Sequence, residues 1–121
     1  MTGMDPKAAV SAERLERYDR LIEAAPGVVR KGASMPYTSV NGHMFSYIDD
    51  GHLVLRLPRD VRQAFLERYH VTVHTAHGIV QKEYVDVPDG LFANTAELAP
   101  FFQVSHAYVA GLTPKPTKRS S

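Results

Sequence analysis

Residues 35–57 read MPYTSVNGHMFSYIDDGHLVLRL, and this stretch decides the fold. It contains Asn41-Gly42 and Asp50-Gly51, dipeptides that supply positive φ at the centre of a two-residue hairpin turn. Three short strands joined by two tight turns follow from them. With Asp50-Gly51 as a loop, Ile48 falls opposite Leu53, Ser46 opposite Leu55 and Met44 opposite Leu57. With Asn41-Gly42 as the other loop, Ser39 falls opposite Met44, Tyr37 opposite Ser46 and Met35 opposite Ile48. One face of this meander then collects Met44, Ile48, Leu53, Leu55 and Leu57 and needs a covering layer. The other collects Phe45, Tyr47, Val54 and Arg56, richer in aromatics than a free surface usually is.

Upstream, residues 1–10 read as a flexible lead-in, and Ser11 as the N-cap of a helix running to about Ala25. Leu15, Tyr18, Leu21, Ile22 and Ala25 form its buried stripe, while Glu13–Arg17 and Glu16–Arg20 are acid-before-base pairs on its solvated side. Arg14, Arg17 and Arg20 are therefore neutralised by their neighbours rather than forming a basic patch. Pro26-Gly27 stops the helix.

Downstream, Pro58 suits a helix start, and Arg59 to about Tyr69 continues it with Val61, Ala64, Phe65 and Tyr69 turned inward. Val71–Thr75 and Gln81–Val87 alternate as two strands, joined by a loop containing Ala76, His77 and Gly78, and Pro88-Asp89-Gly90 closes the pair. Asn94 and Glu97 form a capping box for a last helix with Leu98, Phe101, Phe102, Ser105, Tyr108, Val109 and Leu112 on one side. If that helix begins at Asn94 it must lose a hydrogen bond or kink at Pro100, which leaves a separate first turn and a regular helix from about Pro100 as the other reading. Prolines 114 and 116 forbid helix, so residues 113–121 are expected to be a disordered basic tail. The order helix, three strands, helix, two strands, helix makes a two-layer α+β domain over 11–112, with a mainly antiparallel sheet.

A chain of 121 residues buries enough surface for one core without staples. With no cysteine, disulfides and thiolate chemistry are excluded and a cytoplasmic location is the default. No apolar run is long enough for a signal peptide or a membrane span, so no membrane partner is expected. The net charge is +1, but Lys115, Lys118 and Arg119 supply three positive charges at the end, leaving the body at −2. The body is thus not the cationic object that nucleic-acid binding usually requires.

The segments VNGHMF at 40–45, LVLRLP at 53–58, KEYVDVP at 82–88 and LTPKP at 112–116 resemble the N-terminal domain family of the bacterial TfoX/Sxy competence regulators, in its small standalone members. The resemblance spans about residues 14–119. It departs at Gly32-Ala33-Ser34-Met35, where relatives often have Met-Phe-Gly. It implies a fold like that of secretion chaperones and YjbR-type domains, and no reaction. Full-length regulators carry a second, C-terminal domain, which these residues do not include.

Six histidines invite a metal reading, but His74 and His77 lack a third ligand in a known frame, and His43 and His52 fall at opposite ends of a strand. No serine stands in a nucleophile elbow and no glycine cluster cradles a phosphate. No cofactor, metal or catalytic residue is expected. The expectation is a non-enzymatic regulatory or protein-interaction module, with Phe45, Tyr47, Val54 and Arg56 as association surface for a homodimer or a partner protein. The competing view of that face is aromatics half-covered by a terminal segment. The alternative function is a small nucleic-acid-associated protein using Arg56, Arg59, Arg62, Lys115, Lys118 and Arg119, although Asp60 and Glu67 interrupt the arginines.

Overall fold

A computed structural model describes residues 11–32 and 35–113 of the chain. The expected lead-in, Ser34 and the tail from 114 onward lie outside the described residues. The elements are α1 (Ala12–Ile22), β1 (Tyr37–Val40), β2 (His43–Asp49), β3 (His52–Arg56), α2 (Arg59–Tyr69), β4 (Val73–Ala76), β5 (Ile79–Asp86), α3 (Asp89–Phe92) and α4 (Thr95–Ala110). The sheet is antiparallel throughout, in the order β1-β2-β3-β5-β4. This is the α+β class expected, with one extra turn of helix, α3, where Pro88-Asp89-Gly90 suggested only a strand-closing loop.

Local chemistry accounts for the boundaries. Ser11 Oγ accepts the Arg14 amide at 3.2 Å, capping α1. Asn94 Oδ1 accepts the Glu97 amide at 3.3 Å and its Nδ2 reaches the Glu97 carboxylate, capping α4. Both hairpin dipeptides have positive φ at each central residue, Asn41 55° and Gly42 80°, Asp50 54° and Gly51 83°. A third turn of the same kind, His77 52° and Gly78 77°, joins β4 to β5 in place of the longer loop expected. Pro100 neither breaks nor splits α4, which runs unbroken from Thr95 to Ala110. Pro100 is past the first turn and costs α4 the hydrogen bond to the Ala96 carbonyl, while Leu98 and Phe102 anchor both sides of it in the core.

The register bears out Ile48 opposite Leu53, Ser46 opposite Leu55 and Ser39 opposite Met44. It departs from expectation at one residue. Thr38 pairs with Ser46 while Ser39 pairs with Met44, so Phe45 is the extra residue of a β-bulge. Tyr37 accordingly pairs with Tyr47, not Ser46. The bulge turns Phe45 into the helical layer, where it is fully buried with its ring 5.3 Å from Phe102 and 5.6 Å from His106. Met44, expected in the core, is half-buried outside it.

Tyr18, Leu21, Ile48, Leu53, Leu55, Leu57, Phe65, Val85, Leu98 and Phe102 form the core between helices and sheet. Within it, the Tyr18 hydroxyl and Ser46 Oγ share a hydrogen bond of 2.6 Å, and Thr38 Oγ1 completes the buried chain. Burial pushes the Tyr18 phenol far up, so it stays neutral and can donate. α4 is tied to the sheet by Ser105 Oγ on the Phe45 carbonyl at 3.4 Å and by Asn41 Nδ2 on the Ala110 carbonyl at 3.0 Å.

Candidate functional site

A second bulge interrupts the β4–β5 pairing beside the sheet face away from the helical core. Val73 pairs with Val85 but His74 pairs with Gln81, which leaves Lys82, Glu83 and Tyr84 without partners in β4. Extra residues on one strand bend it at that point. His74 meets one residue of its neighbour β5 and one of β2, which lies two strands further along the sheet. Its Nδ1 lies 2.6 Å from Asp86 Oδ1 on β5, and its Nε2 lies 2.8 Å from Asp49 Oδ2 on β2. Its ring stands edge-on to Tyr47 at 5.9 Å, and Tyr47 stands edge-on to Tyr84 at 5.7 Å.

This cover explains the fate of the expected association surface. Val54 is fully buried and Tyr47 is 6% exposed, although neither belongs to the helix-side core. Burial, then the neighbouring Asp49, Tyr84 and Asp86, push the Tyr47 phenol up to about 12. Arg56 is engaged rather than free. Its Nε donates to Glu83 Oε1 at 2.7 Å, and its guanidinium lies 5.9 Å from the centre of the Tyr84 ring and 5.8 Å from that of Tyr108. Burial raises the Glu83 carboxyl, but hydrogen bonds from Arg56 and Tyr108 and the charges of Arg56 and Arg62 outweigh it and hold the group below its ordinary value. Phe45, Tyr47, Val54 and Arg56 are therefore not an open patch. Phe45 is on the opposite side, two are covered, and the fourth is in an internal ion pair.

Beside the histidine bridge lies a cleft of about 560 Å³, lined in part by His52, Val73, His74, Asp86, Val87 and Asp89. Asp89 receives Arg14 at 3.3 Å and faces His52 Nδ1 at 3.7 Å, so α1, β3 and α3 meet there. The Arg14 hydrogen bond holds the Asp89 carboxyl below its usual value against some burial. His77 stands in the turn and His74 in the bridge, so the two do not form a ligand pair. His43 instead bonds the Thr113 carbonyl through Nε2 at 2.8 Å. Among the described residues no group of three histidines or carboxylates is arranged to hold a metal ion.

The arginines proposed for nucleic acid are divided. Arg62 donates to the Leu57 carbonyl at 2.8 Å, Arg59 is exposed, and Lys115, Lys118 and Arg119 lie outside the described residues.

What sequence reasoning missed is not the β4–β5 pair but its tight turn, its bulge and its place at the edge of the sheet. β4 is an outer strand of the sheet, and Ile79 and Val80 beside its turn are 64% and 52% exposed. From His70 to Gln81 there is no Asp, Glu, Lys or Arg. The charge-free run was the available signal. The other edge is managed differently: Lys31 pairs with Tyr37 outside β1, and its Nζ reaches Ser39 Oγ at 3.2 Å. Among the described residues, no helix is long and apolar enough to cross a membrane. No protein-family model, curated protein or solved structure matches the chain.

Proposed function

We propose that the chain is a non-enzymatic protein-association module of the TfoX N-terminal type, whose association surface is the outer edge of β4 with the tip of the β4–β5 hairpin, and whose partner is a second copy. The observation that carries this reading is an outer strand that holds no lysine or proline, with Ile79 and Val80 exposed across its turn at the start of β5. Edge strands present unpaired backbone N–H and C=O groups, and a two-fold axis lets β4 pair antiparallel with its own copy. The segment brings no Asp, Glu, Lys or Arg to that axis, and His74 turns its ring to Asp49 and Asp86 of its own chain. The sheet then runs through both molecules.

The test is molar mass by light scattering over a range of concentrations, on the native chain and on the double variant Ile79→Lys/Val80→Lys. Both positions are exposed, so the fold should persist by circular dichroism. A native dimer that becomes a folded monomer on substitution supports the reading. A native monomer, or a dimer indifferent to the two lysines, overturns it.

A further inference from the structure

The Asp49–His74–Asp86 bridge joins strands that are not neighbours. In the sheet order, β3 and β5 lie between Asp49 on β2 and His74 on β4. The imidazole side chain is 11% exposed and both ring nitrogens face a carboxylate oxygen, at 2.6 and 2.8 Å. Two acceptors require two N–H donors, which only the imidazolium supplies; a neutral ring turns a lone pair toward one carboxylate. That contact must then open. The bend separates two parts of the hairpin: Glu83 and Tyr84 are held against β3, whereas Ile79–Gln81 pair with β4 alone and can move with it.

We propose that the bridge is a protonation-controlled latch on the β4–β5 hairpin, which holds the β4 edge in its pairing geometry when His74 is charged and releases it when His74 is neutral. The inference rests on the reading of β4 as the association edge. The other groups around the latch do not replace it. Asp49 and Tyr47 face it from β2, Asp86 from β5 with Tyr84 behind Tyr47, and His52 from β3 and Asp89 from α3 line the adjoining cleft. Tyr47 remains a neutral phenol, and Asp89 is occupied by Arg14 and His52. Holding the edge still before encounter lowers the ordering cost of association, so latch and affinity move together.

The experiment uses a His77→Asn background, which removes the titrating group in the turn and places there a residue suited to positive φ. Dimer dissociation is measured by light scattering from about pH 5.5 to 8.5, the span in which histidines change charge. Losing one charge-assisted contact predicts a rise in the dissociation constant on the order of tenfold across that span, and a flat profile in His74→Gln. Asp49→Asn, at a partly exposed position, provides the same comparison should His74→Gln fail to fold. Equal pH dependence with and without the bridge overturns the latch. If no dimer forms at any pH, the association reading fails, and the latch is decided on the monomer by NMR. Backbone amides of Thr75–Val80 that shift in step with the His74 ring, and stay still in the bridge variant, support it; amides that ignore the ring overturn it.

Discussion

One residue decides which side of the sheet is greasy. Strict alternation places Phe45 beside Tyr47, but the bulge inserts it among the core side chains with Phe102. A register drawn from turn dipeptides assumes no extra residue, and nothing in VNGHMF marks one. The energetic consequence is large. Phe45→Ala should cost about 3–5 kcal/mol in urea denaturation, as for a buried phenylalanine, whereas an exposed site would cost under about 0.5 kcal/mol. A small loss would return Phe45 to the surface. The buried Tyr18–Ser46–Thr38 chain was equally hidden, since a serine at position 46 and a threonine at 38 read as ordinary strand residues until Tyr18 is placed above them.

At the scale of elements, legibility followed the strength of the turn chemistry. Asn41-Gly42 and Asp50-Gly51 located two hairpins because asparagine and aspartate visit positive φ more readily than most residues. His77-Gly78 performs the same turn, yet histidine advertises it less, so the hairpin was expected with a longer loop and strands displaced by two residues. Helices α1 and α2 were legible from period and caps. α4 was legible too, and at Pro100 the lost hydrogen bond is observed in place of a separate first turn. Pro100 is exposed, so Pro100→Ala restores an N–H to the Ala96 carbonyl without opening a cavity. The substitution should raise stability by about 1–3 kcal/mol, read from the denaturation midpoint. A loss would mean that the pyrrolidine ring contributes packing the exposure conceals.

For the whole molecule, the covered sheet face is the feature the sequence could not convey. It depends on the second bulge and on His74 meeting Asp49 from far along the chain. Each is a tertiary event with a weak local signature. The acidic side chains of the candidate site were visible only as scattered aspartates, and the expected aromatic patch became a small covered cluster under the hairpin. Composition carries one signal that bears on the proposal. A stretch of uncharged residues from 70 to 81, in a chain that is 22% charged, marks the edge on which association is proposed.

Amide hydrogen exchange at low and at high protein concentration tests that claim most directly. Pairing of β4 with its copy predicts that amides of Val73–Ala76 gain protection at high concentration while those of Tyr37–Val40, on the lysine-covered edge, do not change. Protection in β4 that is independent of concentration, or gained instead in β1, would contradict the account.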